Sequence, residues 1–181
     1  VIKVAPNSRE ITFDRQELIV SKTDLRGKLT YANRVFMRVS NFSEADLLGK
    51  DHSIIRHPDM PRGVFYGLWK ALKSGQEFFG FVKNITSDGH YYWVFANITP
   101  DVVNGEKVGF FSVRRTAPKG ALQVIEDIYR QMRDKEKGFP PAQAPEASWN
   151  WMVQNVLETR NQSYEQFVIE LYQEHSQGGA R

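Results

Sequence analysis

The sequence predicts an α+β fold: a five-stranded antiparallel sheet with short helices on one face, followed by a C-terminal helical extension. Three observations carry this expectation. Strand-like and helix-like runs are segregated along the chain instead of alternating. The last three strand-like runs are joined by Gly-containing turns. Beyond Pro118 the periodicity becomes helical.

Residues 1–16 read as an N-terminal cap segment without a signal-peptide or Arg-rich transit pattern. ELIVSKTDLRGKLTY, residues 17–31, reads as two short strands around the turn from Asp24 to Lys28. In RVFMRVSNFSEADLLGK, Val35, Phe36, Val39 and Phe42 mark one short helix, and Ser43 can cap a second that ends near Gly49. Phe65, Leu68, Trp69 and Leu72 recur at helical spacing until Ser74 and Gly75 stop that helix. QEFFGFVKNIT, HYYWVFANITPDV and KVGFFSVRRT then form a meander through Ser87-Asp88-Gly89 and Asn104-Gly105-Glu106. These pieces make one domain over residues 17–117. Residues 118–138 read as one amphipathic flanking helix carrying Leu122, Ile125, Tyr129 and Met132, a stripe suited to a dimer seam or to packing on the domain's own sheet. Residues 139–147 read as a Pro/Ala-rich linker, and 148–181 as a helical tail in which Trp149 and Trp151 are candidate docking anchors.

The 181 residues suffice for one well-cored domain with flanking helices, and 41% hydrophobic with 25% charged residues is ordinary for a globular chain. A net charge of +3, with both signs mixed along the chain, gives no footprint for nucleic acid. No apolar run is long enough to span a bilayer. The absence of cysteine excludes disulfides, thiolate chemistry, Cys-ligated metals and a flavin bonded through cysteine, and is compatible with the cytoplasm. The chain begins at Val1 without an initiator Met, which suggests trimming or excision from a longer chain.

The densest chemistry is in HSIIRHPDMP, residues 52–61. His52 and His57 would stand roughly 140° apart on a helix, so they do not form a metal-binding pair. No nucleophile or second carboxylate accompanies His57 and Asp59, so catalysis has no footing either. Pro58 disfavours helix at His57, and Arg56 offers a planar fork for phosphate or an aromatic ring. The segment therefore fits a clamp on an anionic ligand, or simply Asp59 capping the next helix and pairing with Arg56. Two asparagines stand on strands otherwise built of hydrophobes, Asn84 on a face with Phe78, Gly80 and Val82, and Asn97 on one with Tyr91, Trp93 and Phe95. Their amides match the mixed edge of a heterocycle or a pair of hydrogen bonds within the core.

Taken together, SKTDLRGKLTYANRVF, GKDHSIIRHPDMPRGVFYGLW, GQEFFGFVKNITSDGHYYWVFANITP and GFFSVRRT resemble the FAD-binding PAS domain of bacterial aerotaxis receptors, over roughly residues 17–116. The resemblance implies a PAS fold holding non-covalent FAD between the sheet and the short helices, and a flavoprotein that senses redox state or oxygen and is not an enzyme. It implies cofactor contacts from Arg56, His57 and Asp59, with Asn33, His52, Phe65, Trp69, Phe78, Asn84 and Asn97 at matching pocket positions. Family members often carry tryptophan where this chain has Phe78, which keeps the apolar ring and loses the indole N–H. Receptors of this kind continue into membrane anchors and a signalling coil, whereas this chain has a helix, a linker and a helical tail.

The expected mechanism is reorientation of Asn84 and Asn97 on a change in flavin state. The last strand would relay it past Pro118 into the flanking helix, and from there to a signalling partner or a second copy. The rivals are a haem b sensor ligated by His52 or His57, a cofactor-free dimerisation module, and a flavoenzyme, for which no nicotinamide fingerprint exists. The expected location is cytoplasmic.

Overall fold

The computed structural model describes residues 1–176. The meander and the first two strands join into one antiparallel sheet of β1 (Ile19–Asp24), β2 (Leu29–Ala32), β3 (Phe78–Ile85), β4 (Tyr91–Val103) and β5 (Glu106–Arg115), ordered β2-β1-β5-β4-β3. Local chemistry sets the turns. Gly27 takes φ +83° in the β1–β2 turn, where Asp24 Oδ1 accepts from Arg26 N and Lys28 N at 2.9 Å each. Asn104 and Gly105 both take positive φ between β4 and β5, the two-residue hairpin geometry that favours Asn-Gly.

One face of the sheet carries the short elements: α1 (Arg34–Ser40), α2 (Glu44–Leu47), a 3₁₀ turn at His52–Ile55, and α3 (Arg62–Lys73). Asn33 caps α1 by accepting from Phe36 N, and Ser43 caps α2 by accepting from Asp46 N. No side chain of its own segment caps α3. Glu136 does so from a distance, its carboxylate accepting from Gly63 N at 3.0 Å.

The opposite face is covered by α4 (Lys119–Glu136) and α6 (Tyr164–Ser176), with α5 (Ala144–Met152) wedged between α3 and α4. Leu122, Ile125, Tyr129 and Met132 are all buried within the chain itself, Tyr129 against Trp93 and Phe81 of the sheet and Met132 beside Gly63 of α3. The Pro/Ala stretch is a tight turn instead of an extended linker, because Pro145 sits in the first turn of α5, where its missing N–H costs nothing. Trp149 docks the tail. Its ring lies against Gly67 of α3, so close that a Cβ there would fall 2.2 Å from it, while Tyr164 stacks on Phe78 at the β3 edge. Residues 177–181 of the expected tail lie outside the described residues.

Candidate functional site

Inside the fold, between the sheet, the 3₁₀ turn and α3, lies a cavity of about 320 Å³. That is the small end of the roughly 300–1,000 Å³ range of small-molecule sites. Its walls are apolar and aromatic: Ile55, Phe65, Leu68 and Trp69 from the helical side, Val82, Ala96, Ile98 and Phe110 from the sheet. Trp69 meets Phe110 edge-on at 5.4 Å, and the Arg56 guanidinium stacks on the Phe65 ring at 3.5 Å.

The floor is polar. Arg114, on β5, is 2% exposed and pairs with no carboxylate among the described residues. Its Nη2 donates to Ser21 Oγ at 2.7 Å, Nη1 lies 3.0 Å from His52 Nε2, and the guanidinium rests on Phe36. Burial lowers its pKa to about 10, which still leaves it cationic at neutral pH. Burial first, and then Arg114, push His52 down to about 3. A guanidinium only donates, so His52 is neutral with its proton on Nδ1 and accepts at Nε2. Three buried polar atoms here have no hydrogen-bond partner among the described residues: Arg114 Nε, Asn84 Nδ2 and the hydroxyl of Tyr92. Tyr92 stands opposite Asn84 and near enough to feel both it and Arg114. A buried donor left unmatched costs about 1–3 kcal/mol.

The residues singled out in the sequence divide. His52, Arg56, Phe65, Trp69 and Asn84 line the cavity. Asn33, His57, Asp59, Phe78 and Asn97 do not. Asn33 is the α1 cap, and its amide also ties to Val20 N and Leu18 O. Phe78 is covered by Tyr164. His57 turns away because the backbone is extended at Arg56, so consecutive side chains point to opposite sides, and Asp59 follows in the turn closed by Met60 N donating to His57 O. His57 N donates to Lys83 O at 3.3 Å on the β3 edge, and its Nδ1 accepts from Asp59 N at 3.0 Å. Asp59 pairs with Lys83 at 2.8 Å, not with Arg56 or the helix end, and its carbonyl accepts from Arg133 of α4. The register keeps Asn97 on the face of Tyr91, Trp93 and Phe95 and corrects only its place in the pocket. Asn84 stands opposite Tyr92 while Asn97 stands opposite Phe79, so the two asparagines lie on opposite faces, and Asn97 meets Glu77 near solvent. Sequence reasoning missed Arg114. The alternation of Phe110, Ser112 and Arg114 along one face of β5 was the available signal.

The histidines give haem little to work with, since His52 Nε2 is engaged by Arg114 and Ser21 and His57 lies outside the cavity. Among the described residues no group of three or more His, Asp or Glu is placed to hold a metal, and no helix is long and apolar enough to cross a membrane.

Residues 29–114 match the family model described as PAS fold. The sheet and its short helices have the PAS fold. The chain resembles the corresponding part of the aerotaxis receptor of Escherichia coli (strain K12), 38% identical over 114 residues that make up 63% of this chain and 22% of the receptor. The nitrogen fixation regulatory protein of Klebsiella pneumoniae is 32% identical over 104 residues, 56% of this chain and 21% of that protein. The chain thus spans about a fifth of the length of these relatives. Among solved structures, a light-oxygen-voltage domain studied with a flavin analogue superposes with a TM-score of 0.54 at 16% identity, covering 63% of this chain and 86% of that one. The PAS domain of a Colwellia psychrerythraea protein does so with a TM-score of 0.50 at 19% identity, over 55% and 85%. Those two likenesses speak for the PAS fold alone.

Proposed function

We propose that the PAS cavity binds a flavin, FAD, without a covalent bond, and that the domain is a cytoplasmic sensor of redox state or oxygen acting through its C-terminal helices on a partner. The observation that carries this reading is the pair of buried, unmatched donors, Arg114 Nε and Asn84 Nδ2, at the floor of an aromatic cavity. The acceptor-rich edge of an isoalloxazine ring answers both donors, while its flat body suits Phe65, Trp69 and Phe110. Likeness to an aerotaxis receptor points the same way.

A bound flavin would supply reversible acceptance of electrons. The remaining roles belong to the chain. Arg114 is a fixed cation in a low-dielectric site, so it favours added negative charge on whatever it faces. His52, neutral and accepting, together with Ser21 holds the guanidinium in orientation without compensating its charge. Among the described residues lining the cavity, none is paired as an acid, base or nucleophile for turnover, and this reading takes the domain as a sensor and not an enzyme.

Asn97 drops out of the expected relay, and two physical connections replace it. Arg114 sits on β5 just before Pro118, the residue that caps α4. Asp59, three residues after Arg56, is held by Arg133 on α4. A change at the cavity floor or at its mouth therefore bears on the same helix. A coupling of about 1–3 kcal/mol between pocket and helix is the usual size for such a signal. The test is a visible spectrum of the freshly purified protein, with chromatography of any released cofactor. The two-banded spectrum of oxidised flavin and release of FAD support the proposal. A Soret band, or a colourless protein that refuses added FAD, overturns it.

A further inference from the structure

Beside the cavity lies a second depression on the outer face of α3. Arg56, Phe65 and Trp69 line both, so these three side chains stand between the two. The outer depression adds Arg62, Tyr66, Lys70 and Lys73, which share one side of the helix, and ends at Pro145 of α5. Among the described residues none of Arg56, Arg62, Lys70 and Lys73 is ion-paired. Burial lowers the Arg56 pKa, opposed by nearby Asp51, and that carboxylate is itself within 3.8 Å of Lys28. Glu146, beside Tyr66, is the acid at the far end. The groove is therefore strongly cationic and carries aromatic rings, the combination that takes phosphates and bases together.

We propose that this groove is a subsite for the diphosphate and nucleoside end of a dinucleotide, with Arg62, Lys70 and Lys73 selecting FAD over shorter flavins, and that filling it fastens α5. The inference rests on the flavin reading above. The inner cavity is sized for a ring system. The neighbouring groove that shares Arg56, Phe65 and Trp69 with it runs over these cations, so a ligand longer than the cavity would pass those three side chains to reach them. Pro145 makes the tail helix part of the wall, so a long cofactor reaches a segment that a short one does not. That gives the tail a direct means of reporting occupancy.

The experiment uses the full chain stripped of any bound flavin and compares riboflavin, FMN and FAD by equilibrium titration, in the wild type and in the triple variant Arg62→Glu, Lys70→Glu, Lys73→Glu. All three substitutions are at exposed positions. FAD should bind at least tenfold tighter than riboflavin, and the triple variant should lose that advantage while riboflavin affinity stays unchanged. Amide hydrogen exchange is the second readout: FAD, but not riboflavin, should slow exchange in residues 144–152. Equal affinity for riboflavin and FAD, an unchanged FAD preference in the variant, or the same protection by both flavins overturns the subsite. Failure of all three flavins to bind removes the underlying reading and the subsite with it.

Discussion

The two faces of this one sheet are built to different ends. The outer face is packed with aromatic rings: Phe81 and Phe95 pack at 4.9 Å, Tyr172 stacks on Phe95 at 4.5 Å, and the Tyr129 hydroxyl donates to Phe81 O at 2.5 Å. The inner face holds an arginine, a histidine and an asparagine around an incompletely filled space, with Arg114 Nε and Asn84 Nδ2 unmatched. Packing stabilises on one side, and the departures from good packing mark the site on the other. A sequence that could fill its interior with apolar side chains here has kept a cation in it, and such a cation costs stability unless something answers it.

The sharpest way to separate the faces is to remove that cation. Arg114→Met keeps much of the volume and should cut flavin affinity by at least a hundredfold. The cofactor-free form should be as stable as the wild type or more so, read by thermal unfolding, because the desolvated charge is gone. A variant that unfolds instead would make Arg114 a structural residue. The opposite lesion is on the far side of α3. Gly67→Ala places a methyl group against the Trp149 ring, so the tail must shift at a cost of about 1–3 kcal/mol, visible as lost protection in residues 144–152 with little loss of flavin.

A smaller effect comes from protons. His52 stays neutral in the fold down to about pH 3, whereas unfolding restores a value near 6.5. The unfolded chain thus binds the extra proton below pH 6.5, so the stability from a neutral His52 is present above that value and is lost as pH falls towards 3. Burial, then Lys83, lowers His57 as well, and it adds to the slope in the same direction. Denaturant unfolding between pH 7 and 4.5 should show declining stability, and His52→Gln should flatten part of that decline. An unchanged slope would mean that His52 is not held neutral.

Local chemistry was legible in the sequence. The turns at Asp24–Lys28 and Asn104–Gly105 and the cap at Ser43 each depend on a few adjacent residues and were read from them, whereas Asn33, placed in the pocket by resemblance, is the α1 cap. Registry was harder to see, although the signal existed. A turn that pairs Ile85 with Tyr91 puts even-numbered residues of β3 and β4 on one face, and the same parity carries across to β5. Followed through, it separates Asn84 from Asn97 and brings Arg114 to the floor of the cavity. His57 and Asp59 were grouped with Arg56 because they are neighbours in sequence. An extended backbone before Pro58 sends neighbours to opposite sides. The tail's seat on Gly63 and Gly67 depends on tertiary contacts that no local pattern announces.

The most direct test of the claim that the inner face is the site sets Asn84→Ala beside Asn97→Ala in one FAD titration of flavin-free protein. The two residues are chemically identical and stand on the same hairpin. Asn84→Ala should weaken binding about tenfold, the size of one lost buried hydrogen bond. Asn97→Ala should leave affinity unchanged and stability within about 0.5 kcal/mol. Equal losses in the two variants, or a loss confined to Asn97→Ala, would contradict the account.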